Sequence, residues 1–124
     1  MKIPKVPDNI RIHPDVIRTI KKIAILDDNK AISLIQRIME LASDPLPDNE
    51  ECNSENIWNF HKKRLPIRRL KCIGIRDYRI FYAYRKSGMI CIYHVMKRNK
   101  VTYDKNSLHY KLIKLLYAKW GDCQ

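Results

Sequence analysis

This chain has no C-x-x-C pairing, no apolar run at its N-terminus of the kind a secretion signal needs, and no stretch approaching the length of a membrane span. Its four cysteines (Cys52, Cys72, Cys91, Cys123) and four histidines (His13, His61, His94, His109) are scattered. Local ligand spacing for zinc is therefore missing, and neither a metal nor a cofactor is expected. Cys72 and Cys91 fall inside strand patterns, where buried thiols are common. The expectation is a soluble protein in a reducing, cytoplasmic setting with no membrane partner. No internal repeat is present.

Acidic residues are nearly missing from the second half. Between Asn56 and Lys119 there are 17 lysines and arginines against two acids, Asp77 and Asp104, so the net charge of +12 is concentrated there. A field of that sign favours polyanions: nucleic acid, an anionic surface or an acidic protein partner. The 124 residues and 45% apolar content fit a single domain, 1–124, with a core of its own.

What is present centres on Ile67–Tyr103. Ile67–Ile75, Tyr78–Arg85 and Met89–Met96 read as three consecutive strands. Lys86-Ser87-Gly88 forms the hairpin turn between the second and third, with glycine where a positive φ is needed. Lys100–Tyr103 starts a fourth strand. Ahead of this meander, residues 1–9 read as an N-terminal arm and Asn9–His13 as a short strand. Pro14 opens a helix with apolar spacing at Val16, Ile17, Ile20, Ile23 and Ala24. Asp28 caps a second helix, whose apolar face is Ala31, Leu34, Ile35, Ile38, Leu41 and Ala42. Residues 43–66 read as a long, partly acidic connection, with Ser54 capping a short helix over Asn56–Lys63. Leu108, Leu112, Leu115 and Leu116 predict a closing helix. The expected fold is α+β, ordered β-α-α-β-β-β(-β)-α. An antiparallel sheet carries a helical hairpin and a C-terminal helix, with the helices on one face.

Cations stand inside the strands as well as beside them. Period-2 geometry puts Arg79, Phe81, Ala83 and Arg85 on one face of their strand, and Arg69 with Lys71 on one face of theirs. Arg69, Lys71, Arg79 and Arg98 turned the same way make a cationic concavity suited to phosphate, since guanidinium binds its oxygens in pairs. A solvated basic surface is the competing reading. A mid-strand arginine such as Arg79 calls for an anionic partner, which Asp77 or the acidic 43–66 segment also supplies.

The run Asp77-Tyr78-Arg79-Ile80-Phe81-Tyr82, followed by His94, Lys97-Arg98 and Tyr103, resembles the RelE/ParE superfamily of type II toxin–antitoxin toxins, as does the order of elements. Here Arg76 stands before Asp77, with Gly74 two residues earlier. The RelE-like branch implies a metal-independent endoribonuclease acting on mRNA, often in the ribosomal 30S A site, and so inhibiting translation. In that chemistry a ribose 2′-hydroxyl attacks the adjacent phosphate, which needs a base, cations for the phosphorane charge and an acid for the leaving oxygen.

By position, Arg79 resembles the phosphate-stabilising arginine of that family. Arg98 resembles its charge stabiliser or acid, and Tyr103 the tyrosine that orients a base. Lys71 is the candidate general base, a role that needs a depressed pKa; His94 is the alternative, and reads equally as a structural histidine. Arg68, Arg69, Arg76, Arg85, Lys97 and Lys100 are candidate RNA contacts. A cognate antitoxin with an acidic amphipathic segment is the implied partner. The ParE-like alternative is a DNA gyrase poison without nuclease activity, and a further one is an inactive member that only binds antitoxin or nucleic acid.

Overall fold

The computed structural model describes residues 3–57, 60, 62, 65–99 and 108–120. Their order is β1 (Ile10–Ile12), α1 (Pro14–Leu26), α2 (Asp28–Glu40), β2 (Cys52–Asn56), β3 (Ile67–Cys72), β4 (Tyr78–Tyr84), β5 (Ile90–Lys97) and α3 (Leu108–Lys119). The five strands form one sheet in the order β1-β5-β4-β3-β2. It is mixed, not antiparallel as expected, because β1 runs parallel to β5 while the other neighbours are antiparallel. A parallel neighbour needs a long crossover, and here that connection is the helical hairpin together with most of the meander. No helix among the described residues is long and apolar enough to cross a membrane.

The hairpin α1–α2 begins where Pro14 takes the first helical position and the His13 ring accepts a bond from the Asp15 N–H at 3.1 Å. One residue, Asp27, ends α1 and starts α2. Its N–H donates to the Ile23 carbonyl at 2.8 Å, and its carboxylate accepts from the Lys30 N–H at 3.0 Å. Asp28, the expected cap, lies one position inside the helix. The N-terminal arm is tied down from Ile3 onward: Ile3 packs on the hairpin core, and the Asn9 amide donates to the Ala42 carbonyl at 3.0 Å.

The helices do not share one face of the sheet. Ile20, Leu34 and Ile38 of the hairpin pack with Leu70, Ile80, Tyr82 and Ile92 on one side. Tyr110 and Ile113 of α3 pack with Ile67, Phe81, Cys91 and Tyr93 on the other. The reason is legible in β4 and β5, which are buried at almost every position and so need cover on both faces. The turn at Lys86-Ser87-Gly88 forms as expected, with Gly88 at φ +89° and the Arg85 N–H donating to the Met89 carbonyl at 2.8 Å.

The segment 43–66 is more ordered than a loop. β2 pairs along its whole length with β3, from Cys52–Cys72 to Asn56–Arg68. The expected helix over Asn56–Lys63 is replaced at Asn56 by this strand, and Trp58, His61 and Lys63 lie outside the described residues. The Ser54 and Tyr82 hydroxyls lie 2.5 Å apart. Tyr82 also donates to the Pro45 carbonyl at 2.6 Å, which pins the segment to the centre of the sheet.

Candidate nucleic-acid interface

The ends of β3, β4 and β5 that carry the cations meet at one corner of the sheet. Pairing of Leu70 with Ile80 sets the register of β3 against β4. Pairing of Arg79 with Met96 sets that of β5, and the ladder runs on past β5 where the Arg98 N–H donates to the Asp77 carbonyl at 2.7 Å. Lys71, Arg76, Arg79 and Arg98 thereby line a single cleft of about 490 Å³. The same cleft is lined by Glu50 and Glu51 of the turn into β2 and by Asn53 of β2, the cross-strand neighbour of Lys71.

Arg79 is the floor. It is only 2% exposed, and its Nη1 donates to the backbone carbonyls of Arg76 at 2.8 Å and Tyr78 at 2.9 Å. Lys71, Arg76 and Arg98 stand exposed around it. Asp77, a proposed partner for Arg79, instead meets Lys30 of α2 at 2.8 Å. Burial opposes ionisation of Asp77, but the hydrogen bond and charge of Lys30 outweigh it and hold the carboxyl below its ordinary value.

Other expected site residues lie elsewhere. Arg69 is engaged by Glu55 at 2.8 Å and by the Tyr110 hydroxyl at 2.6 Å, so it braces α3 against the sheet and does not line the cleft. Arg68 points to the hairpin face, where it donates to the Ser54 hydroxyl at 2.7 Å and to Asn56 at 2.8 Å. Arg85 covers the Tyr117 ring, its guanidinium carbon 3.9 Å from the ring centre. Lys97 is exposed at the end of β5, opposite Tyr78. Tyr103 and Lys100 lie outside the described residues, as does the expected strand Lys100–Tyr103.

His94 sits under α3. Phe81 opposes His94 while Tyr82 opposes Ile92, so Tyr93 is the extra residue of a β-bulge. The bulge lets Tyr93 and His94 both face α3, where strict alternation would separate them. The Nε2 of His94 lies 2.9 Å from the Nδ1 of His109. Burial, reinforced by the positive charge His109 can carry, lowers the His94 pKa from 6.5 to about 4. His94 is thus a neutral packing group away from the cleft.

Two structural elements of the cleft, a disulfide and a strand, carried no sequence signal. Cys52 and Cys72 face each other across β2 and β3 and are disulfide-bonded, with their Cα atoms 4.2 Å apart; a buried thiol was expected at Cys72. Cys91, where a buried thiol was also expected, is disulfide-bonded too, so no described cysteine is a free thiol. Both residues also line the cleft, so the bond joins its two walls. Acidic residues of 43–66 beside the cations were expected, but the strand that holds them was not, because Cys-Asn-Ser-Glu-Asn lacks the β-branched and aromatic residues that mark a strand. No family model, curated protein or solved structure matches this chain.

Proposed function

We propose that the chain is a toxin of the RelE-like kind, a metal-independent mRNA endoribonuclease acting at the ribosome in the cytoplasm and neutralised by a cognate antitoxin. The observation that carries this reading is the convergence of Lys71, Arg76, Arg79 and Arg98 on one cleft. Three successive strand ends and a turn bring four cations together here, and Lys71, Arg76 and Arg98 make no ion pair among the described residues. A phosphodiester offsets their repulsion, and gains from charge already in place when the phosphorane forms. The resemblance carried by Asp77-Tyr78-Arg79 and Lys97-Arg98 supplies the reaction.

In this reading the exposed guanidiniums of Arg76 and Arg98 hold the phosphoryl oxygens, and Arg79 adds its charge from below. Lys71 takes the proton of the ribose 2′-hydroxyl as that oxygen attacks phosphorus. The bond to the 5′-oxygen breaks as that oxygen takes a proton from water, leaving a cyclic 2′,3′-phosphate and a 5′-hydroxyl, with Arg98 stabilising the charge on the departing oxygen. His94 has no part, because it is held against His109 under α3.

Mapping of mRNA 5′ ends after induced expression tests this. Wild type should give new, codon-phased ends that Arg98→Ala and Arg76→Ala abolish. Growth arrest without cleavage would point to gyrase, and neither arrest nor cleavage to a binding role.

A further inference from the structure

The cleft presents charge of both signs, and the two are not spent on each other. Glu50 makes no side-chain hydrogen bond or ion pair among the described residues, and the ion pair of Glu51 is with Arg37 on α2, at 3.6 Å. Lys71, Arg76 and Arg98 likewise make no ion pair among the described residues. A groove that had only to hold a polyanion would lose affinity by keeping a free carboxylate in its wall.

The backbone under that carboxylate is fixed. The Asn49 side-chain oxygen accepts from the N–H groups of Glu51 and Cys52, both at 2.9 Å. The Asn49 N–H donates to the Cys52 carbonyl at 3.0 Å, and the Ile73 N–H to the Glu51 carbonyl at 2.8 Å. The disulfide ties Cys52, at the end of the turn, to Cys72 of β3. Glu50 therefore projects from a braced turn, and of the two glutamates it alone borders this cleft without also bordering its neighbour on the α2 side.

A ligand that satisfies both walls is anionic at one end and donates hydrogen bonds at the other. The volume suits one nucleotide. An ionised carboxylate only accepts. Among the RNA bases, guanine alone presents two adjacent donors, N1–H and the N2 amino group, to the two oxygens of one carboxylate. Adenine and cytosine offer a single donor beside an acceptor, and uracil a donor between two carbonyls that the carboxylate repels. We infer that the cleft takes a guanosine phosphate unit of RNA, its phosphate on Arg76 and Arg98 above Arg79 and its guanine edge on Glu50. This rests on the phosphodiester reading of the cleft and assigns Glu50 the choice of base.

Titration of the full-length protein with the four ribonucleoside 3′,5′-bisphosphates tests it, using wild type, Glu50→Gln and Arg98→Ala. Glu50 is exposed on a turn, so circular dichroism should be the same for wild type and Glu50→Gln. Wild type should prefer the guanosine ligand over the uridine ligand by about tenfold, the scale of one paired base contact. Glu50→Gln should weaken guanosine binding and strengthen uridine binding, because it removes the paired acceptor and the repulsion together. A purely electrostatic role would raise all four affinities alike, and a structural role would lower all four; either result overturns the inference. Arg98→Ala should weaken all four by a similar factor. If the four ligands bind wild type equally but lose affinity in Arg98→Ala, the phosphate site stands and the role of Glu50 falls. If none binds, or Arg98→Ala changes nothing, the cleft reading falls with it.

Discussion

The Nε2 of His94 and the Nδ1 of His109 lie 2.9 Å apart, joining β5 to α3 through two imidazoles of which one must donate and the other accept. Protonating both leaves two donors face to face. Because the folded-state pKa of His94 is lowered to about 4 from 6.5, the unfolded chain binds more protons between those values. The stability His94 contributes is complete above pH 6.5 and is lost as pH falls toward 4, by on the order of 3 kcal/mol. His13, whose pKa is lowered by burial and by Arg18, adds loss of the same sign. Asp77, also lowered, adds its own only below about its unfolded value of 3.8. Urea unfolding at pH 7.5, 5.5 and 4.5 should show this slope, and His94→Leu should flatten it.

Arg69 and Arg98 should separate stability from binding. Arg69→Ala removes the bonds to Glu55 and Tyr110 and should destabilise the fold by about 2 kcal/mol, while leaving RNA affinity almost unchanged once the protein is folded. Arg98→Ala should do the reverse, leaving the unfolding midpoint unchanged and lowering the salt dependence of RNA binding by about one counterion. Thermal melts and filter binding at several salt concentrations read the two effects apart.

Tyr82→Phe should destabilise by about 1–2 kcal/mol. The Ser54 hydroxyl and the Pro45 carbonyl both lose the Tyr82 hydroxyl in a buried spot. Hydrogen exchange should quicken in β2 and around Pro45 before it does in β4.

Opening the Cys52–Cys72 bond by the Cys52→Ser/Cys72→Ser double substitution should lower stability by about 3 kcal/mol, the closure entropy of a loop whose ends are 20 residues apart. β2 should remain paired, since Ser54, Arg68 and Glu55 hold it independently. A lower melting temperature with unchanged circular dichroism is the expected result.

The elements legible in the sequence were those whose own residues set their geometry. Pro14 and the apolar spacing of Ile20, Leu34 and Ile38 marked the hairpin, and Gly88 between an aromatic, β-branched run and an apolar one marked β4 and β5. β2 was not legible, because its Cys-Asn-Ser-Glu-Asn run is a strand only by virtue of β3 beside it. Likewise the grouping of Lys71, Arg79 and Arg98 followed from strand periodicity. The exclusion of Arg69 depended on Tyr110, far along the chain and on another element. The bulge at Tyr93 shifts His94 by one face, and no local residue announces it.

The parallel pairing of Ile10–Ile12 with Ile90–Ile92 has a consequence for how the chain assembles. These strands are farther apart in the chain than any other neighbours in the sheet, so their contact carries its largest loop-closure entropy. During synthesis α1 and α2 leave the ribosome long before β5, with Ile20, Leu34 and Ile38 exposed until the meander arrives. The hairpin is thus a part of the nascent chain whose apolar face waits longest for its cover.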